Sequence, residues 1–582
     1  MAACDSVRGM KRLVLALVLL FLAPSVATAA AAFPAYGRAG MVVTSQADST
    51  RAGVAMLAAG GNAVDAAVAA AFAAGVTQPF SAGVGGGAFL LIRTADGEVI
   101  AVDARETAPG AADRDLYVRP GVPERASLVG PLAVATPGFV RGLAEALARY
   151  GTLPLAKVLE PAIRLAEDGF AIGPYHARML EVMRGYGLPE RFPETARIQF
   201  PPPGEKAAPG WRLVQKDLAK TLRRLAREGP DVFTTGAVAK AIAAYVKQAG
   251  GILTEDDLAG YEPRFREPVR GSYRGYTVHS FPPSSSGGIA LIETLNILEG
   301  FDLGALGAGS SASIHRIAEA MKLAFADRAA YLGDTDFIEV PTAQLTAKSY
   351  AEALRARINP PRWRRAPWTW GRSETVTKVV GPGLPQNDSG TTHLSTTDAA
   401  GNAAALTMTI NTPFGSGLTV PGTGVILNNE MDDFAAAPDT PNAYGLVDTS
   451  GANAIAPGKR PLSSMTPTIL TKDGAVFMVT GSPGGPRIIS TVLLTVLNVI
   501  DYGMNVEQAV AAPRFHHQWV PDQLKVEPDI AADVVRDLEK RGHDVAVSKR
   551  TWSGAEAIVV DPQSGWHLGG SDPRRDGLAL GP

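Results

Sequence analysis

A run of hydroxyl side chains late in the chain constrains its fold and chemistry more than any other feature. Residues 388–395 read Asp-Ser-Gly-Thr-Thr-His-Leu-Ser. A threonine hydroxyl is a weak nucleophile unless a base lies within hydrogen-bond reach, and the α-amine of the same residue can be that base. In an intact chain this amine belongs to a peptide bond. The chemistry therefore requires scission between Gly390 and Thr391.

The flanking sequence predicts that Thr391 begins a strand. Residues 391–397 and 403–411 are rich in strand-forming residues, and residues 398–402 between them form a turn, which is the pattern of a hairpin. Thr391, His393 and Ser395 then share one face of the first strand. An ordinary polar strand has the same face, so the Thr-Thr-His triplet alone leaves both interpretations open.

The N-terminus has the three parts of a secretory signal peptide. Basic residues precede an apolar run at residues 13–22, and small residues follow at residues 27–29. We therefore predict that residues 1–29 are removed on export to the periplasm or the medium. A retained membrane anchor is the alternative, because the uncharged stretch continues through Ala32.

Composition excludes several classes of protein. The chain has 582 residues, of which 46% are hydrophobic and 19% charged, as in ordinary globular proteins. A formal net charge of -2 and the lack of a basic stripe argue against nucleic-acid binding. The single cysteine, Cys4, precedes the apolar run, so the exported protein has no disulfide and no thiolate. No second apolar run is long enough for a stable membrane span.

Hydrophobic periodicity predicts helices and sheets in alternation. Asn62 caps a helix at residues 63–74, and a long helix begins near Ser310. Further helices are predicted at residues 138–150, 155–168, 215–227, 237–248, 486–500 and 530–541. Hairpins are predicted at residues 88–103 and 466–480. This order favours layered sheets with helices outside.

The segment 359–390 has a different character, since it is rich in proline and shows no helical or strand period. It fits an inter-domain linker. It equally fits an exposed segment that leads into a processing site.

Two further motifs are suited to work beside Thr391. Thr409 and Asn411 lie on the strand expected to pair with the strand of Thr391. Gly484 and Gly485 precede Pro486, and the free N–H groups of such a helix start suit an anion or a developing oxyanion. A tight strand-to-helix turn would explain the two glycines equally well.

Other polar motifs predict a pocket for one α-amino and one α-carboxyl group. The acidic run at residues 428–434 contains Glu430 and Asp433. It favours an ammonium partner over a metal, because no histidine lies nearby and no cluster in the sequence has metal-ligand spacing. Arg105 offers a fork of donors that matches a carboxylate. Ser463 and Ser464 supply adjacent hydroxyl donors.

The set of motifs resembles the γ-glutamyltranspeptidase family, whose members are also called γ-glutamyltransferases or glutathione hydrolases. The resemblance extends over nearly everything after the predicted signal peptide. It is carried by the Thr-Thr-His at residues 391–393, the runs at 428–434 and 461–465, the Gly-Ser-Pro-Gly-Gly at 481–485, the Ala-Pro-Arg-Phe-His-His at 512–517, and three motifs of the first half, at 85–87, 105–109 and 284–288.

The resemblance implies an α+β fold, the αββα four-layer sandwich of N-terminal-nucleophile hydrolases. It also implies self-cleavage between Gly390 and Thr391. The products would be a large subunit of residues 30–390 and a small catalytic subunit of residues 391–582, which stay associated as a heterodimer.

The resemblance also implies the roles of the site residues. Thr391 matches the nucleophile, Thr409 the supporting hydroxyl, and Gly484 and Gly485 the oxyanion donors. The residues matched to binding of the γ-glutamyl group are Arg105, Ser463 and Ser464 for its carboxylate and Asn411, Glu430 and Asp433 for its α-amino group. Tyr444 resembles the residue of an active-site lid that some bacterial members lack. Some members have glutamine in place of Glu430.

The implied reaction begins with attack of Thr391 on the γ-carbonyl of glutathione or another γ-glutamyl amide. The resulting ester is passed to water or to an amino acid or dipeptide acceptor. No cofactor and no metal is expected. Two alternatives stay open: a glutaryl-type cephalosporin acylase of the same fold, and a non-catalytic exported binding protein that keeps the pocket and never matures.

Overall fold

Two stacked antiparallel sheets form the centre of the structure, a computed structural model that describes residues 32–358, 390–435 and 440–582. The predicted signal peptide and the proline-rich segment up to residue 389 lie outside these residues. Residues Pro34–Pro582 form one compact unit. Within the described ranges, no helix has both the length and the apolar character needed to cross a bilayer.

Sheet 1 contains the hairpin that begins with Thr391. Its seven strands, in spatial order, are β21 (Leu578–Leu580), β2 (Gly40–Thr44), β10 (Gly390–Asp398), β11 (Ala403–Asn411), β3 (Gly87–Arg93), β4 (Val99–Ala104) and β7 (Arg264–Arg266). The β10–β11 and β3–β4 hairpins confirm the two hairpins predicted for these parts of the sequence.

Sheet 2 contains the strand that leads into the glycine loop at residues 481–485. Its seven strands, in spatial order, are β1 (Ala35–Gly37), β20 (His567–Ser571), β19 (Glu556–Val560), β15 (Ala475–Gly481), β14 (Thr468–Lys472), β9 (Tyr276–Ser280) and β8 (Val269–Tyr273). Smaller sheets pair β5 (Phe170–Ala171) with β6 (Arg212–Leu213), β12 (Thr419–Val420) with β13 (Val425–Ile426), and β16 (Phe515–His516) with β17 (Leu524–Val526) and β18 (Val545–Val547).

The helices predicted from hydrophobic periodicity are present, and the structure adds others that were not predicted, among them the helices at Pro174–Gly185 and Gly287–Leu298. In chain order they are α1 (Ala47–Ala58), α2 (Ala63–Thr77), α3 (Phe139–Tyr150), α4 (Leu155–Asp168), α5 (Pro174–Gly185), α6 (Leu188–Arg191), α7 (Pro193–Gln199), α8 (Lys216–Glu228), α9 (Ala237–Gln248), α10 (Glu255–Ala259), α11 (Gly287–Leu298), α12 (Leu303–Leu306), α13 (Ser311–Tyr331), α14 (Thr342–Leu345), α15 (Lys348–Arg355), α16 (Arg487–Ile500), α17 (Val506–Ala511) and α18 (Ala532–Lys540). Pro486 is the cap residue of α16 rather than its first helical residue.

Helices cover the outer faces of both sheets. Helices α1 and α2 pack on the outer face of sheet 1, and α11 and α16 pack on sheet 2, so the order of layers is helix, sheet, sheet, helix. Every residue of α2 is buried, which its alanine-rich sequence permits because small side chains let the helix lie close to the sheet. Between the sheets, Phe89 of β3 stacks on Phe281 with ring centroids 4.0 Å apart.

Both large sheets contain strands from the two predicted subunits. In sheet 1, β10, β11 and β21 come from residues 391–582 and the other strands from the first half. Sheet 2 is mixed in the same way. The predicted division after Gly390 therefore runs through sheet 1 rather than between two separate compact units, and a cut there would leave both pieces interleaved.

Helix α2 begins after Asn62, as predicted, and the buried carboxylate of Asp65 stabilises this start. Asn62 caps this helix in a capping box with Asp65. Asp65 is fully buried and also accepts from Thr152 N, from Thr152 Oγ1 at 2.7 Å, and from Leu153 N at 2.9 Å. It thereby joins α2 to the turn between α3 and α4.

We predict that Asp65→Ala lowers the free energy of unfolding by about 3 kcal/mol, because four partly buried donors of Asn62, Thr152 and Leu153 lose their buried acceptor. The matched control is Asp48→Ala in the first turn of α1, whose partner Arg51 is largely exposed; its loss should stay below about 1 kcal/mol. Urea denaturation measures both values. Equal losses would show that Asp65 does not hold this junction.

Candidate active site

The hydroxyl of Thr391 lies in a short hydrogen-bonded chain at the start of β10. Its Oγ1 is 2.9 Å from Oγ1 of Thr409 on β11. The Thr409 hydroxyl donates to the carbonyl oxygen of Gly390 at 2.7 Å and accepts from Asn411 N at 2.8 Å. A hydroxyl has one proton to give. Since that proton goes to Gly390, the Thr391 hydroxyl is left as the donor to Thr409.

A bulge in the β10–β11 pair produces this arrangement. Gly390 lies opposite Asn411, whereas Thr391 lies opposite Thr409, so one extra residue of β11 is inserted between the two pairs. Asn411 adopts a left-handed φ of 73°, a strained conformation for a residue with a side chain. A Cβ atom on Gly390 would lie 1.7 Å from the Asn411 carbonyl oxygen. Only glycine fits before Thr391.

These groups line a small cavity. Of the residues that sequence analysis assigned to catalysis or binding, all but Gly484 line it. The lining set is Arg105, Thr391, Thr409, Asn411, Glu430, Asp433, Tyr444, Leu446, Leu462, Ser463, Ser464, Met465, Gly485, Pro486 and Ile488. A Cβ atom on Gly484 would lie 2.4 Å from Oγ of Ser553.

Arg105 pairs directly with the two acidic residues that were expected to bind an ammonium group. Its Nη1 contacts Glu430, its Nη2 donates to Asp433 at 2.5 Å, and its Nε donates to the Pro461 carbonyl oxygen at 3.1 Å. Sequence reasoning assigned the arginine and the acids to separate halves of a zwitterion. In the structure these opposite charges are in contact at one end of the cavity.

Glu106 is a member of this cluster to which sequence reasoning gave no role. It is fully buried, its Oε2 lies 3.7 Å from Nη1 of Arg105, and among the described residues neither of its carboxylate oxygens has a hydrogen-bond partner. Gly87 packs against it, since a Cβ atom there would lie 2.2 Å from Oε2. The only sequence signal was its place beside Arg105 in a motif of the resemblance.

The cluster has three carboxylates around one guanidinium, and this shifts their pKa values. Burial raises the pKa of Glu430 well above its usual range and that of Glu106 to about 7, although Arg105 opposes both shifts. Burial alone would lower the pKa of Arg105, but the negative charges of Glu430, Asp433 and Glu106 outweigh it and raise the pKa. The cluster therefore gains negative charge as the pH rises through neutrality.

The glycine loop at residues 481–485 contains two N–H groups that are free to donate, and one of its residues, Gly485, lines the same cavity as Thr391. Gly484 and Gly485 have φ values of 136° and 57°, and their carbonyl oxygens accept from the first turn of α16. Among the described residues, neither of their N–H groups has a hydrogen-bond partner. Unpaired N–H groups at a helix start can stabilise a negative oxygen.

His393 is structural rather than a base. It is buried, with Nδ1 2.8 Å from Thr407 Oγ1 and Nε2 3.1 Å from Ser395 Oγ. Burial lowers the pKa of His393 to about 3, so the ring is neutral. Its ring packs on Gly481, where a Cβ atom would lie 2.2 Å from Cε1.

The two serines predicted for carboxylate binding differ in their partners. Ser463 Oγ accepts from Met465 N at 3.1 Å. Ser464 Oγ is buried and has no partner among the described residues. Among the described residues both hydroxyls therefore keep a proton that can be donated to a bound group.

Tyr444 covers the cavity from one side. Its hydroxyl donates to the Asn411 carbonyl oxygen at 2.7 Å, and its ring lies against Gly485, where a Cβ atom would be 2.6 Å from Cδ1. Tyr444 thus connects the bulge of β11 with the glycine loop.

One group of possible metal ligands escaped the sequence analysis. Ligand atoms of His315, Glu319 and His543 lie within 4.8 Å of one another. They come from α13 and from the turn after α18, and sequence spacing related only the first two. Glu319 lies 3.4 Å from the ammonium of Lys322, which opposes a cation, and none of the three lines the cavity at Thr391.

Comparison with known proteins supports this description. The family model for Gamma-glutamyltranspeptidase matches residues 49–581. The chain is 46% identical to the glutathione hydrolase proenzyme of Escherichia coli strain K12 over 553 residues, covering 94% of this chain and 93% of that protein. It is 41% identical over 556 residues to the acylase ACY 1 proenzyme of Pseudomonas sp. strain SE83, covering 94% of each. The crystal structure of cephalosporin acylase from Bacillus halodurans matches with a TM-score of 0.80 at 30% identity and covers 96% of this chain and 98% of that chain.

These matches confirm the predicted fold, the αββα sandwich of N-terminal-nucleophile hydrolases, and they extend over both halves of the site. The family model covers Arg105, Thr391 and the glycine loop within one continuous match. The chain therefore belongs to the γ-glutamyltranspeptidase family of enzymes.

Proposed function

We propose that this protein is an exported, autoprocessed γ-glutamyltransferase that acts on glutathione and related γ-glutamyl amides. The observation that carries the proposal is the contiguous group of Thr391 Oγ1, Thr409 Oγ1 and the Gly390 carbonyl, set in a cavity whose other end holds Arg105, Glu430 and Asp433. Export rests on the signal peptide predicted at residues 1–29.

Autoprocessing would use the same hydroxyls as catalysis. The Thr409 hydroxyl polarises the Gly390 carbonyl, and Thr391 Oγ1 attacks its carbon. The C–N bond breaks as the C–O bond of an ester forms, and the nitrogen takes a proton to become the amine of Thr391. Water then hydrolyses the ester and leaves a carboxylate on Gly390. The large and small subunits stay together because their strands share both sheets.

In the mature enzyme the new amine of Thr391 is the general base for its own hydroxyl. The hydroxyl attacks the γ-carbonyl carbon of the donor, and the N–H groups of Gly484 and Gly485 stabilise the oxyanion. The amine returns its proton to the leaving nitrogen, and a γ-glutamyl ester remains on Thr391. Water releases glutamate, whereas an amino acid or dipeptide takes the γ-glutamyl group as acceptor.

Recognition of the donor would replace one set of ion pairs with another. The α-carboxylate of the γ-glutamyl group binds Arg105, Ser463 and Ser464. Its α-ammonium binds Asn411, Glu430 and Asp433. A zwitterion supplies one charge of each sign, so the Arg105–acid contacts can be exchanged for contacts with the ligand without leaving a buried charge unpaired.

A second candidate function is removal of a glutaryl group, because one close relative is named an acylase. Glutaryl has the carboxylate of the γ-glutamyl group and lacks its α-amino group. Glu430 and Asp433 both line the cavity and would then have no ammonium partner. This favours the γ-glutamyl donor.

We predict that kcat/KM for γ-glutamyl-p-nitroanilide exceeds that for glutaryl-p-nitroanilide by at least about 100-fold, because a site built for a polar group rejects an analogue that lacks it. Release of p-nitroaniline measures both rates. Thr391→Ala is the control and should hydrolyse neither compound. Comparable rates on the two anilides would favour the acylase.

We predict that KM for γ-glutamyl-p-nitroanilide falls as the pH rises through about 7, the pKa to which burial raises Glu106. Ionisation adds negative charge beside Glu430, and this favours the ammonium of the donor over the range in which that ammonium stays protonated. Glu106→Gln keeps the shape but cannot ionise, so its KM should vary much less with pH. An unchanged pH profile of KM in this variant would remove Glu106 from donor recognition.

A further inference from the structure

The tip of the lid is a compact turn. In residues 442–446, the side-chain oxygen Oδ1 of Asn442 accepts from Tyr444 N at 3.0 Å and from Leu446 N at 3.1 Å. Gly445 takes a φ of 74°, which a glycine adopts without strain. We call residues 442–446 the lid tip. Because its own hydrogen bonds fix its shape, its position depends on a few outside contacts.

Side chains hold the lid tip at three points. The Tyr444 hydroxyl bonds the Asn411 carbonyl oxygen, and Asp432 Oδ2 accepts from Ala443 N at 3.0 Å. The third contact is Gln518, whose Nε2 donates to the carbonyl oxygens of Tyr444 and Gly445, each at 3.2 Å. Gln518 is 6% exposed. It directly follows the Ala-Pro-Arg-Phe-His-His motif at residues 512–517, which has no role in the proposed mechanism.

Gln518 is the end of a buried chain of hydrogen bonds that starts on α16. Its Oε1 lies 3.0 Å from Nε2 of His516, and Nδ1 of His516 lies 3.0 Å from Oγ of Ser490. Ser490 is in the first turns of α16, the helix that begins directly after Gly484 and Gly485. The chain therefore connects the helix of the oxyanion loop with the lid tip.

The bonds of Gln518 have a determined direction. Carbonyl oxygens only accept, so the Gln518 amide nitrogen faces the lid tip and the Val520 carbonyl oxygen, and its own oxygen faces His516. Nε2 of His516 must then carry the hydrogen, and burial, which lowers the pKa of His516 well below its usual value, favours the neutral ring. The Ser490 hydroxyl has two acceptors for its one proton, Nδ1 of His516 and the Arg487 carbonyl oxygen, each at 3.0 Å.

We propose that Gln518, oriented by His516 and Ser490, is a positioning residue that holds Tyr444 over the donor site. The role deepens the proposed function, since a displaced lid tip would loosen the wall of the donor cavity and leave Thr391 and Thr409 untouched. Loss of the hydrogen bonds from Gln518 to the lid tip should therefore weaken donor binding more than it slows the chemical step.

The test replaces Gln518 with glutamate. Gln518→Glu keeps the size and the acceptor for His516 but loses the N–H donors to the lid tip. We expect KM for γ-glutamyl-p-nitroanilide to rise at least about fivefold, since each of the two hydrogen bonds lost to the lid tip contributes about 1 kcal/mol, with kcat changed less than about twofold. Amide exchange measured by mass spectrometry should become about fivefold faster in peptides covering residues 442–446 and stay unchanged in β10 and β11.

Gln523→Glu is the matched control, because Gln523 bonds Asp544 at an exposed position; it should behave as the wild type. Gln518→Leu is the second variant. It removes the same N–H donors without introducing a carboxylate, so it should give the same changes even if the glutamate variant folds poorly. Unchanged exchange at the lid tip in both Gln518 variants would overturn the proposal, as would a fall in kcat at constant KM. The exchange measurement does not depend on activity. If only the donor assignment is wrong, exchange at the lid tip still becomes faster in the Gln518 variants; if the positioning role of Gln518 is wrong, it does not.

Discussion

The hydrogen bond between the hydroxyls of Thr391 and Thr409 is the interaction on which the rest of the site depends. It exists because a bulge in β11 brings Thr409 opposite Thr391 while Asn411 stays opposite Gly390. The same bulge makes a side chain at position 390 impossible and turns the Gly390 carbonyl toward Thr409. One backbone irregularity thus orients both the bond proposed to be cut and the hydroxyl proposed to cut it.

The charged end of the cavity complements this arrangement. Arg105 leaves β4 at its end, whereas Glu430 and Asp433 come from a short 3₁₀ helix after β13. Their contacts are buried, where an unpaired charge would be strongly unfavourable. The arginine and the acids neutralise one another and still present one positive and several negative groups to a zwitterion.

Much of the fold could be predicted from the sequence, and the reasons are local. The composition of residues 391–411 predicted the β10–β11 hairpin, whose register places Thr409 beside Thr391. The capping residue Asn62 predicted the start of α2. The contact of Arg105 with Glu430 joins residues 325 positions apart. Their motifs predicted one shared pocket but not that the two side chains pair with each other. Glu106 and Gln518 were missed because their roles come from buried contacts across the fold, which no sequence period records.

Conversion of Thr391 into an N-terminal nucleophile can be tested by the intact mass of the purified protein. We expect two pieces for the wild type, the smaller one beginning at Thr391, with turnover of γ-glutamyl-p-nitroanilide. Thr391→Ala should give one uncut chain and no turnover. A wild-type protein that is uncut at Gly390–Thr391 and yet fully active would show that another residue is the nucleophile.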